Sequence, residues 1–161
     1  MAIERLDLLY MVLSRLEASL LAGDALSRRT MQDMVYISQA WGLPLDYDFS
    51  YSLKGPYSND LVPHILTIQQ KRASFDRRTR DLKLRPEAEE LMGTLVAFMA
   101  PLMEDRRRLH MVASVMFMGH RYKMDRREII EYYTRFDPEF FPFEVAEIVD
   151  MVNAQTLVKI R

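Results

Sequence analysis

Apolar residues recur at helical spacing along most of this chain. Leu6, Leu9, Leu13, Leu16 and Leu20 alternate steps of three and four, a stripe on one helix face that Gly23 and Asp24 end. A second helix starts at Ser27, turns Met31, Met34, Val35 and Trp41 inward, and stops by Gly42 and Pro44. Leu61, Ile65 and Ile68 give the apolar face of a third. From Pro86, Ala88, Leu91, Leu95, Phe98 and Leu102 share one face until Pro101 interrupts it, and a helix over 104–119 carries Leu109, Val112 and Met116 inward. Asp125 and Glu128 have capping-box spacing ahead of Ile129, Ile130, Tyr133 and Phe136. Pro142 opens a last helix that uses Ala146, Val149 and Val152.

The period changes twice. Tyr47, Phe49, Tyr51 and Leu53 alternate with Asp48, Ser50, Ser52 and Lys54, which predicts a strand with one buried face. Gly55 and Pro56 end the pairing and turn the chain, and Ser58 is placed to cap a helix through Asn59, Asp60 and Leu61. Pro63 then falls in the tolerant first turn of a helix that begins nearer Asp60. The second change lies over 74–85, which predicts a short hairpin with Phe75, Leu82 and Leu84 at its packed positions. The succession of helix, helix, strand, helix and hairpin predicts a mostly α single domain over 1–161, with a winged-helix-like core over 1–85 and a helical extension over 86–161.

Within this frame Met34-Val35-Tyr36-Ile37, then Leu53-Lys54-Gly55-Pro56-Tyr57-Ser58, then Leu82-Lys83-Leu84-Arg85-Pro86-Glu87-Ala88 carry a pattern that resembles the YwgA-like and Panacea-type (SocA-like antitoxin) prokaryotic domains. In such domains an apolar helix, a hydrophobic strand and Tyr-Gly-Pro-Tyr-Ser precede a helix. Here Lys54 stands where Tyr or His is common, and Arg85 where Thr would cap the next helix. The resemblance implies a protein acting through protein partners, including as an antitoxin, with Gly55, Pro56, Tyr57 and Ser58 as its structural motif.

Composition narrows the field. A chain of 161 residues, 49% apolar, is long enough for one substantial core and too apolar for general disorder. There is no cysteine, so disulfides, thiolate metal sites and thiol catalysis are excluded together. The acidic first residues do not read as a signal peptide and no apolar run is long enough to span a bilayer, so a cytoplasmic location away from membranes is expected. The twelve methionines fall among apolar positions and are expected in the core.

Net charge is only −1, but it is unevenly spread. Lys71, Arg72, Arg77, Arg78, Arg80 and Lys83 gather on the expected hairpin, a candidate surface for the phosphates of duplex DNA. A second basic stretch includes Arg106, Arg107, Arg108, Arg126 and Arg127, whereas Glu128 to Asp150 is largely acidic, an arrangement equally suited to ion pairs within the molecule.

Catalytic chemistry is sparse. Asp46 and Asp48 fall on one side of a strand, where paired carboxylates can hold a divalent cation or divide acid and base roles, but no further ligand is spaced to join them. His64, His110 and His120 lack metal-helix spacing and are expected to be surface or packing residues. Neither a dinucleotide fingerprint nor a Walker loop occurs. The expectation is a non-catalytic regulatory or adaptor module needing no cofactor or metal, binding a protein partner and duplex DNA, with a small metal-dependent enzyme as the competing class.

Overall fold

The computed structural model describes residues 3–16, 25–52 and 55–155. Among them eight α-helices and one two-stranded antiparallel sheet are formed: α1 (Arg5–Arg15), α2 (Ala25–Trp41), β1 (Ser50–Ser52), β2 (Gly55–Tyr57), α3 (Leu61–Gln70), α4 (Arg72–Thr79), α5 (Pro86–Met99), α6 (Arg106–Arg121), α7 (Arg126–Phe136) and α8 (Pro142–Asn153). A single 3₁₀ turn, Leu102–Glu104, links α5 to α6 after Pro101.

Two helices run through the middle. α2 packs most extensively against α6, and in α6 every residue from Met111 to Met118 is buried. Complete burial of successive residues means that this helix is enclosed on all sides, where an amphipathic surface helix buries one stripe. α1 behaves likewise, with every residue from Asp7 to Leu13 buried, so the leucine stripe records only part of its contacts; Leu20 lies outside the described residues. Met31, Met34, Met92, Met99, Met111, Met116 and Met118 are all in the core. α7 and α8 also pack against α6.

The sheet departs from expectation. Burial alternates from Leu43 to Phe49, with Leu43, Leu45, Tyr47 and Phe49 buried and Pro44, Asp46 and Asp48 exposed, as the period requires. Yet only 50–52 forms a strand, and Gly55-Pro56-Tyr57 does not end the pairing: it is the partner strand, in the register Ser50 with Tyr57, Tyr51 with Pro56 and Ser52 with Gly55. Pro56 lacks a donor but stands on a sheet of only two strands, where an edge tolerates it. Leu53 lies outside the described residues.

The hairpin expected over 74–85 is also corrected. Residues 72–79 are α4, because Phe75 and Thr79 fall one turn apart on a buried face and Leu82 and Leu84 follow in a non-repetitive segment. Phe75 and Leu84 are buried as expected, but on a helix and a loop. Ser58 is not the helix cap either; α3 begins at Leu61 after Asp60, with Pro63 in its first turn. Asp125 caps α7 through the full capping box with Glu128, and Pro142 opens α8, as the spacing predicts.

Candidate functional site

The polar residues of α2 converge on the Gly-Pro-Tyr-Ser segment. Arg29 donates from Nη1 to the Pro56 carbonyl at 2.8 Å and from Nη2 to the Ser52 carbonyl at 2.9 Å, bridging both strands. Gln32 donates to the Ser58 carbonyl at 2.9 Å and accepts from the Ser58 N–H at 2.8 Å. Seven residues on, Gln39 repeats the arrangement with Tyr47, donating to its carbonyl and accepting from its N–H, both at 2.8 Å. A side-chain amide has one donor and one acceptor edge, the same pair a backbone residue offers, so each glutamine satisfies one extended residue completely.

Beside them Asp33 is buried, and Nδ1 of His110 on α6 stands 2.9 and 3.0 Å from its two oxygens. Burial pushes the Asp33 carboxyl up from its ordinary range, against the opposing pull of His110 and Arg29. The adjoining Cε1–Nε2 edge of the imidazole lies against Gly55: a Cβ there would stand 2.3 Å from His110 Cε1, 3.1 Å from Nε2 and 3.2 Å from Ser114 Oγ. The pair therefore clamps β2 onto α2 and α6. From spacing alone His110 reads as a surface or packing residue, and no local motif marks Asp33 as its partner. The available signal was a carboxylate set inside the apolar run from Met31 to Ile37.

The basic residues do not form one patch. Arg78 points back to α1, where it meets Asp7 at 2.9 Å and Glu4 at 3.2 Å, and its guanidinium stacks on Phe75. Lys71, Arg72, Arg77, Arg80 and Lys83 are exposed on α4 and its flanks, with no ion pair to a described residue. The remaining charge segregation closes on itself: Arg107 pairs with Glu144 at 3.0 Å, Arg108 with Glu147 at 2.9 Å and Arg126 with Asp150 at 2.9 Å, tying α6 and α7 to α8. Arg107 holds the Glu144 carboxyl below its ordinary range.

Asp46 and Asp48 are both exposed, and Asp46 has φ 59°, which turns the chain so that Arg5 reaches its carbonyl at 2.5 Å. Among the described residues no group of three His, Cys, Asp or Glu is placed to hold a metal ion. His64 accepts or donates at Nδ1 with the Tyr47 hydroxyl at 2.7 Å. Burial pushes the Tyr47 phenol up to about 12.

Tyr47 and Phe49 are buried as the alternation predicts, and Tyr51 is half-buried against the core. Tyr51 of β1 and Tyr132 of α7 stand with ring centroids 6.5 Å apart at 90°, Tyr132 and Phe136 at 5.1 Å and 45°, and Tyr51 and Tyr122 at 6.3 Å and 60°. A cleft of about 230 Å³ is lined by Tyr51, Tyr132, Phe136 and Asp137. Burial, then the neighbouring Tyr132 hydroxyl, raise the Tyr51 phenol. Phe136 is 59% exposed, and Phe141 and Phe143 stack at 5.8 Å while exposing 59% and 69% of their surface.

No known protein family matches the chain, and neither does any curated protein or solved structure. Among the described residues no helix is long and apolar enough to cross a membrane.

Proposed function

We propose that this chain is a non-catalytic regulatory or adaptor module that binds a protein partner. The observation that carries the reading is the exposure of large aromatic side chains: of the five large apolar side chains exposed among the described residues, four are aromatic, Tyr122, Phe136, Phe141 and Phe143, the fifth being Leu66. Aromatic residues at a surface supply large contact area with little side-chain entropy to lose, and they anchor protein interfaces out of proportion to their number. The resemblance to Panacea-type domains supports an antitoxin-like role for such a module. In this reading residues 1–85 make up the winged-helix-like core, with α4 standing where the wing hairpin was expected.

The test is site-specific photo-crosslinking from position 143 in cells, followed by binding measurements with the purified protein it captures. One stoichiometric partner whose affinity falls at least tenfold with Phe141→Ser and Phe143→Ser supports the reading. A partner that binds both variants equally well overturns it.

A second reading, duplex DNA, rests on the exposed residues Arg72, Arg77, Arg80 and Lys83 of α4 and its flank. Cations on phosphates release counterions, so replacing Arg77, Arg80 and Lys83 with Gln should flatten the salt dependence of binding by about one unit for each phosphate left without its cation. Arg78, held by Asp7 and Glu4, should contribute little to that slope.

A further inference from the structure

The cleft between β1 and the end of α7 has a chemistry that goes beyond a general apolar contact and does not depend on the protein-partner reading. Its walls are the rings of Tyr51, Tyr132 and Phe136 together with Asp137, the residue at the C-terminal cap of α7. Aromatic faces carry the negative side of the ring quadrupole and attract cations. The last carbonyls of a helix concentrate the negative end of its dipole, and the cleft lies at that end of α7. Rings and helix end favour the same sign of charge. Arg135, in the same turn, lines the wider neighbouring groove and not this cleft.

This molecule already uses the same attraction internally. Guanidinium groups stand over Tyr47 at 3.9 Å, Phe140 at 4.2 Å, Phe75 at 5.1 Å and Tyr57 at 5.6 Å. No described arginine stands over Tyr51, Tyr132 or Phe136 in this way. The shape narrows the choice of cation. A flat guanidinium stacks on one ring or between parallel rings, whereas here neighbouring rings stand at 90° and 45° and offer no parallel slot, a lining better matched to a rounded group. At about 230 Å³ the space equals roughly seven or eight waters and falls below the ordinary range for a drug-sized ligand, so it takes a head group and leaves the rest of the ligand outside.

We infer that Tyr51, Tyr132 and Phe136, closed by Asp137, form a binding site for an alkylated ammonium head group, such as a trimethylammonium. That head is carried both by free choline-like metabolites and by trimethylated lysine side chains.

The test is titration of the full chain, followed through the aromatic ring signals of Tyr51 and Tyr132 by NMR. The probes are choline, its neutral isostere 3,3-dimethylbutan-1-ol, and a short peptide with and without trimethyllysine. Choline should bind saturably and about fivefold or more tightly than the neutral isostere, the size of a partly exposed cation–π contact. Phe136→Leu, at an exposed position that keeps the fold, should lose about fivefold in choline affinity, while Phe136→Trp should retain or improve it. Tighter binding of choline identifies a small-molecule source, and tighter binding of the trimethyllysine peptide identifies a modified protein; either supports the site. Equal binding of choline and the isostere, or no saturable response to any cation, overturns it.

Discussion

His110 holds the two oxygens of Asp33 at 2.9 and 3.0 Å with Nδ1 and closes over Gly55 with the adjoining Cε1–Nε2 edge of the ring. One imidazole therefore joins α2, α6 and β2. The glycine is required here by space and not by backbone angle, since a methyl group would stand 2.3 Å from a ring that Asp33 keeps from rotating away.

Gly55→Ala should accordingly destabilise the protein by about 1–3 kcal/mol, the ordinary cost of overpacking. Chemical denaturation of the single variants and of the Gly55→Ala, His110→Ala pair forms a double-mutant cycle. The alanine at 55 should cost clearly less once the ring is gone; strict additivity would show that His110 is not what it meets.

His110→Ala alone removes the hydrogen-bonding partner of a buried carboxyl group, a loss expected to cost about 1–3 kcal/mol. Asp33→Asn keeps an acceptor for Nδ1 while removing the charge. Its cost should be smaller, which a comparison of denaturant midpoints at constant slope would decide.

Arg78 and Arg77 are neighbours of opposite consequence. Arg78→Gln strips the ion pair from Asp7, whose side chain is only 8% exposed, and should cost about 1–3 kcal/mol. Arg77→Gln, exposed and without an ion pair to a described residue, should stay within about 0.5 kcal/mol of the parent. Equal thermal shifts for the two would remove the structural role given to Arg78.

His64 provides a pH dependence. Burial, and then the positive charge of Arg5, lower its affinity for a proton below that of the unfolded chain. The unfolded state therefore binds more protons as pH falls below about 6.5, and stability declines through that window toward the lower folded value. Stability measured from pH 7.5 to 5 should fall less for His64→Gln than for the parent. An unchanged slope would show that His64 does not titrate differently on folding.

Much of the helical fold was legible from spacing. The capping box at Asp125 and Glu128, the entry of α8 at Pro142 and the shift of α3 past Ser58 are local signals, carried by residues a turn apart. The misreadings arose where distant contacts decide. Phe75, Leu82 and Leu84 do pack inward, but a short segment offers too few positions to separate period two from period four, and the docking of α4 on α1 settles it. Gly55 and Pro56 look like a stop because of their own backbone, and become a strand because Arg29 and His110 hold them there. Phe136 continues an apolar stripe and yet is exposed, since no element among the described residues covers the end of α7. The Asp33–His110 pair joins residues 77 apart, beyond the reach of any local pattern.

A hairpin of three residue pairs is normally too small to persist by itself in water. Here Gln32 and Gln39, about 10 Å apart along α2, grip the chain at Ser58 and at Tyr47, one foot on either side of the two strands. The helix thus acts as a ruler: a slip of either strand by one residue would forfeit the grip on that strand, so the hairpin has no neighbouring register to drift into. Its lifetime is lent to it by α2, and the amide hydrogens of Tyr47 and Ser58 should exchange with solvent at the pace at which that helix opens, long after those of an unanchored turn.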